Sequence, residues 1–269
     1  MRQFIAPSFP DQQGLLAVSG KDYRHMHQVL RVHCGDMIAV RLPDGTLQHM
    51  TVCTVDEKAR TVILQVCAVQ NAPVDPTGTG STLSGVEFWL FQCMARPQKM
   101  DDIVRQATEC GVACIVPVIS EYTQSAYAEA GRRNERLSRI IKEARQQSGS
   151  PVDTRCLEPV TFSGAMDMWR DLTVQDDRNA VAFALYERTD MPESGGRGAV
   201  VSAVKRAAGR GVITHAALLV GNEGGISPAE IEYACSRGFL PVHFATNILR
   251  CETAALYGLA VVQSIVVEE

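Results

Sequence analysis

The sequence has no Cys-x-x-Cys pair, no unbroken run of about 20 apolar residues and no large excess of either charge. The first absence matters because cysteine is plentiful: Cys34, Cys53, Cys67, Cys93, Cys110, Cys114, Cys156, Cys235 and Cys251. The one close pair, Cys110 and Cys114, straddles Gly111, which reads as a helix stop, so no metal site is expected. Scattered thiols in an odd number suggest a reducing compartment, hence the cytoplasm. The longest apolar stretch, 254–267, is broken by Gln263 and Ser264 and falls short of a membrane span. It reads instead as a helix buried in a core or a subunit interface. Residues 1–20 have no apolar core behind basic residues, so neither a signal peptide nor a membrane partner is expected. The 26 Lys and Arg against 30 Asp and Glu give a net charge of -4. That balance argues against coating nucleic acid over the whole surface and leaves room for a local basic patch.

What is present is globular: 46% apolar and 21% charged in 269 residues, enough for about two domains. Residues 71–85, NAPVDPTGTGSTLSG, lack apolar periodicity and read as a linker between domains 1–70 and 86–269. Before it, strands are expected at 36–42, 47–55 and 61–69, the first two joined by the turn Pro43-Asp44-Gly45, with a helical segment at 21–32. Short strands joined by tight turns suggest a small β-barrel. After the linker, strands at 86–94, 113–119, 180–186, 216–220 and 240–244 alternate with helices at 101–110, 132–147, 199–208 and 228–238. This α/β alternation predicts a parallel sheet covered on both faces. Ser227-Pro228-Ala229-Glu230 is a capping box with Pro at the first helical position.

Two strand-to-helix segments carry the chemistry. Gly221-Asn222-Glu223-Gly224-Gly225 places three glycines where ligands of parallel sheets bind, beyond the carboxyl ends of strands. It is neither a dinucleotide fingerprint nor a triphosphate loop. Asn247-Ile248-Leu249-Arg250-Cys251-Glu252-Thr253 places Arg250 in an apolar setting, paired to Glu252 or Glu223 in the plainer reading. A basic run from 131 to 145 holds six Lys and Arg against two Glu. Its arginines Arg132, Arg136 and Arg139 share a helix face opposite Leu137, Ile140, Ile141 and Ala144.

Together these segments resemble a known family. GNEGGISPAEI and ILRCETAAL are similar to the two C-terminal blocks of the bacterial 16S ribosomal RNA uridine-N3 methyltransferases, of the SPOUT superfamily. Three further matches follow the same order: His27-Gln28-Val29-Leu30-Arg31-Val32 with Gly35-Asp36; Lys99-Met100 with 106–112, QATECGV; and 143–148, EARQQS. The sequence departs from the family at Asn222 (usually Pro), at 244–247, Phe-Ala-Thr-Asn (usually Leu-Gly-Pro-Arg), at Cys251 (usually Thr) and at Ser150-Pro151, where Arg is usual.

The resemblance implies S-adenosylmethionine as cofactor, a C-terminal SPOUT domain with a trefoil knot, an N-terminal PUA-like β-barrel that grips RNA, and a homodimer through the C-terminal helix. It implies a partner in 16S ribosomal RNA or the small ribosomal subunit, and methylation of N3 of a uridine. Leu185, Tyr186, Leu219, Gly221, Glu223, Gly224, Gly225, Phe244, Ala245, Ile248 and Leu249 would surround the cofactor. Arg250 would stabilise the developing charge, and Glu252 would act as base or orient Arg250. Arg24, Arg31, Lys99, Arg132, Arg136 and Arg139 would contact RNA. Two alternatives stay open: a SPOUT enzyme acting at another RNA site, and a non-catalytic RNA-binding or assembly protein that keeps the fold.

Overall fold

The computed structural model describes residues 3–67, 85–124, 134–175, 178–187 and 195–268. Most of the expected linker and Arg132 lie outside them. The chain divides into two units, residues 1–80 with 145–149, and residues 81–144 with 150–269.

The first unit is a five-stranded sheet of order β1-β3-β4-β5-β2, in which β1 (Phe4–Ile5) runs parallel to β3 (Met37–Arg41). β2 (Leu15–Ser19), β4 (Leu47–Asp56) and β5 (Thr61–Val66) complete it with antiparallel ladders. Alternate residues Leu16, Val18, Met50, Val52, Val62 and Leu64 turn inward and form one core with Phe4, Met26 and Val40. β1 and β2 are the two ends of the sheet, so the expected barrel is a half-barrel. The expected helix at 21–32 is α1 (Gly20–Arg24) followed by a π-helical turn, His25–Leu30, which closes on Arg31 in the left-handed region at φ 52°.

In the second unit, six strands lie parallel in the order β12-β10-β11-β6-β7-β8, and β9 also pairs with β7. They are β6 (Glu87–Cys93), β7 (Cys114–Ile119), β8 (Arg155–Cys156), β9 (Val160–Thr161), β10 (Ala180–Leu185), β11 (His215–Val220) and β12 (Leu240–Val242). Their runs are apolar because both faces are covered, with a side-chain period of two. Phe88, Leu90, Val181, Phe183, Ala216 and Leu218 face one core. Trp89, Phe91, Ala182, Ala184, Ala217 and Leu219 face the other.

The first core is closed by α2 (Pro97–Glu109), α3 (Asn134–Ser148), α5 (Arg197–Ala208) and α7 (Cys251–Glu268). The second is closed by α4 (Phe162–Gln175) and α6 (Pro228–Ser236), with Trp169 edge-on to Phe91 at 6.1 Å. α2 begins a full turn earlier than expected, with Pro97 in its first turn. It ends as expected, at Gly111 with φ 75°. α6 opens on the expected capping box: Ser227 accepts from Glu230 N–H, and Glu230 accepts from Ser227 N–H. Such a cap is worth about 1 kcal/mol.

α7 sets the geometry of the site. Gly258 lets it lie against the sheet: a Cβ there would stand 2.7 Å from Leu185 Cδ1 and 2.9 Å from Leu218 Cδ2. At its other end Gln263 donates to Cys110 O at 2.8 Å. The helix has 18 residues, longer than the expected 254–267, and is long and apolar enough to cross a membrane by length and composition. Ala255, Leu259, Val262, Ile265 and Val266 are buried in the unit's own core. The large apolar side chains left exposed on this helix are Leu256, Tyr257 and Val267.

Candidate functional site

The carboxyl ends of β10, β11 and β12 meet at a cavity of about 250 Å³. Its walls come from 185–187 at the end of β10, 220–225 at the end of β11, and 242–244 and 246–249 with the start of α7 after β12. The chain returns here from the sheet edge at β12 to the central strands, and such a reversal leaves a crevice at the strand ends.

The loop after β11 is shaped by its glycines and by Asn222. A Cβ on Gly221 would stand 2.7 Å from Gly225 C, so the loop closes on itself backbone to backbone. Gly225 adopts φ 78°, and Gly225 N–H donates to Asn222 O at 3.0 Å. Asn222 is buried, where its Oδ1 accepts from Gly224 N–H at 2.9 Å. Its Nδ2 donates to Met94 O and Ser120 Oγ, both at 3.4 Å. An amide in place of proline thus fixes the loop by hydrogen bonds instead of by a ring. Beneath it, fully buried Gln92 donates to Gly221 O at 3.1 Å and Cys93 O at 3.0 Å.

The loop after β12 is tied at both ends. Tyr186 N–H donates to Val242 O at 3.0 Å, and Ala254 N–H donates to Arg250 O at 2.7 Å, which starts α7. Between them, Phe244 packs edge-on to Tyr257 with ring centres 5.4 Å apart.

One charged group joins both loops. Lys99 Nζ, in the first turn of α2, lies 3.1 Å from Glu252 Oε2, 3.7 Å from Glu223 Oε1 and 3.8 Å from Cys251 Sγ. Arg96 also holds Glu223, through its N–H at 3.4 Å and its Nε at 3.9 Å. Burial works against the Lys99 charge, but the hydrogen bond to Glu252 and the neighbouring negative groups outweigh it and raise its pKa. Burial likewise works against the Glu252 carboxylate, and its helix N–H, Lys99 and the Cys251 thiol together hold it below the ordinary glutamate value. Burial, then the thiol's hydrogen bond to Glu252, pushes Cys251 up to about 11, so it stays a thiol at neutral pH.

The expected cofactor residues Leu185, Tyr186, Gly221, Glu223, Gly224, Gly225, Phe244, Ile248 and Leu249 line this cavity. Leu219 and Ala245 do not: Leu219 is buried inside the sheet core, and Ala245 is exposed. Sequence reasoning missed Glu187, Val220, Asn222, Val242, His243, Thr246, Asn247, Cys251 and Ala254. Asn222, Asn247 and Cys251 lie inside the two recognised segments and Val220, Thr246 and Ala254 directly flank them, and that position was the available signal.

Arg250 is exposed, not buried, so its presence involves no desolvation penalty. Lys99 is three-quarters buried and ion-paired, which makes it a tie between loops rather than an exposed cation. On α3, Arg136 pairs with Asp101, and Arg139 lies 3.9 Å from Glu143. In the first unit Arg24 and Arg31 are exposed. Arg31 lines a cleft with His27, His33, Cys34 and Glu57, where Tyr23 stacks on His27 at 5.4 Å.

Parallel strands covered on both faces, with a glycine-walled cavity at their carboxyl ends, define an α/β protein built to hold a small ligand there. A model of the RNA methyltransferase domain matches residues 83–263, and the chain belongs to that family. The ribosomal RNA small subunit methyltransferase E of Aquifex aeolicus is 30% identical over 171 residues, covering 63% of this chain and 65% of that protein. That of Bacillus subtilis is 22% identical over 248 residues, covering 91% and 88%. The crystal structure of the Neisseria gonorrhoeae enzyme of the same name, bound to S-adenosyl methionine, shares the fold with a TM-score of 0.73 at 20% identity over 98% of each chain.

Proposed function

We propose that this protein transfers the methyl group of S-adenosylmethionine to N3 of a uridine in small-subunit ribosomal RNA. The observation that carries the reading is the strand-end cavity closed by the two glycine-bearing loops in a chain of the RNA methyltransferase family. The residues fit the cofactor: Gly221 and Gly225 let the loop fold tightly at the strand end, with no side chains of their own, and the cavity walls are mainly backbone and apolar side chains. When bound, the cofactor supplies an electrophilic methyl on a sulfonium.

The chain's own residues do the rest. Glycine-loop and 242–249 backbone groups hold and orient, and a fixed geometry contributes several kcal/mol to a bimolecular transfer. Uracil N3 is an imide nitrogen and attacks only as its proton leaves. Arg250, exposed beside the cavity wall, is assigned to the carbonyl oxygens that gain charge as this happens. Glu252 is assigned to orientation, since a carboxylate already bound to Lys99 is a weak base.

RNA is assigned to Arg24 and Arg31 on the half-barrel, taken as PUA-like, and to Arg136 and Arg139 on α3. The path from β12 back to α7 is assigned to a trefoil knot. Exposed Leu256, Tyr257 and Val267 are assigned to a homodimer, and sedimentation as a 29.3 kDa monomer at micromolar concentration would remove that part. Nine free thiols agree with a reducing cytoplasm. The test is a nucleoside digest of 16S RNA from a strain lacking the gene. Loss of 3-methyluridine supports the reading; loss of a different modified nucleoside reassigns the target atom or site.

A further inference from the structure

The cavity wall carries two carboxylates in contrasting surroundings. Glu223 is neutralised from outside by Lys99 and Arg96. Among the described residues, Glu187 at the end of β10 has no hydrogen bond or ion pair, and no Lys or Arg lines the cavity. Its Oε1 lies over Gly225, 2.8 Å from where a Cβ would stand, so the glycine keeps the carboxylate's place open. The cavity is thus a site with one unpaired negative charge and, among those residues, no cation in its wall to offset it.

We propose that Glu187 selects the charged methyl donor over the product left after transfer. This rests on the methyltransferase reading above. At neutral pH S-adenosylmethionine carries a sulfonium, an ammonium and a carboxylate, for a net charge of +1. In the transfer, the S–CH3 bond breaks with its electron pair kept on sulfur, the N3–CH3 bond forms, and the N3 proton leaves to solvent. S-adenosylhomocysteine, a thioether, is then neutral overall. Donor and product differ in formal charge by the one positive charge that disappears inside the cavity. An unpaired carboxylate on the wall attracts the donor more than the product, so it raises the donor's relative occupancy and speeds product exit.

The experiment is calorimetric titration of the full chain near neutral pH with S-adenosylmethionine and with S-adenosylhomocysteine, for wild type and Glu187→Gln. The donor's affinity falls about fivefold in the variant, the upper end for a partly exposed charge pair. The product's affinity moves less than twofold. Added salt weakens donor binding more than product binding in wild type, and that difference disappears in the variant. Equal losses for both ligands would overturn the inference, since damage to the loop or a hydrogen bond to the shared nucleoside acts on both alike. So would two unchanged affinities. Wild type that binds neither ligand would overturn the methyltransferase reading, and the inference with it.

Discussion

Gly221→Ala probes the cofactor loop at the point where its backbone leaves least room. The new Cβ would stand 2.7 Å from Gly225 C, 2.9 Å from Gly225 Cα and 3.0 Å from Gly225 O. Carbon atoms rest about 3.5–4.0 Å apart, so the loop must open by nearly 1 Å. The obstacle is backbone on both sides, held by Asn222 O accepting from Gly225 N–H, so rotating a side chain cannot relieve it. Overpacking of this kind costs about 1–3 kcal/mol. If the loop opens, that cost appears as lost cofactor affinity, about tenfold for each 1.4 kcal/mol. Calorimetry should therefore show S-adenosylmethionine binding about 5- to 150-fold weaker, with most of the melting temperature retained. Gly198→Ala is the control, because its Cβ meets nothing within 4 Å in the first turn of α5. It should leave binding unchanged. Wild-type affinity in Gly221→Ala would refute the claim that this loop holds the cofactor.

Three further outcomes follow from the same geometry. Arg250→Ala should cut methyl transfer about 10²-fold or more while cofactor affinity changes little, and near-normal turnover would leave the residue without a chemical role. Lys99→Met should loosen both loops, with a pH signature. The Glu252 pKa lies below its ordinary 4.5 and that of Lys99 above 10.5, so the tie is complete between those values. It is lost as pH falls from 4.5 through the folded-state value of Glu252, and as pH rises through that of Lys99. The melting-temperature gap between wild type and variant should thus narrow below pH 4.5, and a gap constant with pH would contradict the tie. Replacing Arg136 and Arg139 by Gln should flatten the salt dependence of RNA binding, by up to roughly 0.7–0.9 in slope for each phosphate no longer neutralised; an unchanged slope would make them a solvated helix face.

The strongly periodic elements are readable from sequence because one physical signal decides each. β6 and β11 are apolar on both faces, and α6 announces itself by the Ser227–Glu230 box. α4 escapes such reasoning although Phe162, Ala165, Met166 and Trp169 recur at helical spacing and Thr161 Oγ1 caps it by accepting from Gly164 N–H, because no Gly or Pro stop follows Gln175. β1, β2, β8 and β9 escape it for a different reason. Strands of two to five residues have little periodicity of their own, and their partners across the sheet specify them. The helix expected at 101–110 begins a turn earlier because Pro97 serves as a first-turn residue, a place proline suits. At the site, the glycine loop is legible from composition. The ion pairs of Lys99 are not legible, because 124 and 153 residues separate it from Glu223 and Glu252, and only the fold brings them within 4 Å. The apolar neighbours of Arg250 suggest burial, yet Ile248 itself is 88% exposed, so that stretch is surface.

The central claim is tested most directly by incubating the purified protein with S-adenosylmethionine carrying a labelled methyl group and small ribosomal subunits from a strain lacking the gene. The 16S RNA is then digested to nucleosides and read by mass spectrometry. The account predicts labelled 3-methyluridine, reduced when Gly221→Ala replaces the wild type at limiting cofactor. A digest in which no nucleoside gains the label, from protein shown to bind the cofactor and from substrate offered both as subunits and as free RNA, would contradict it.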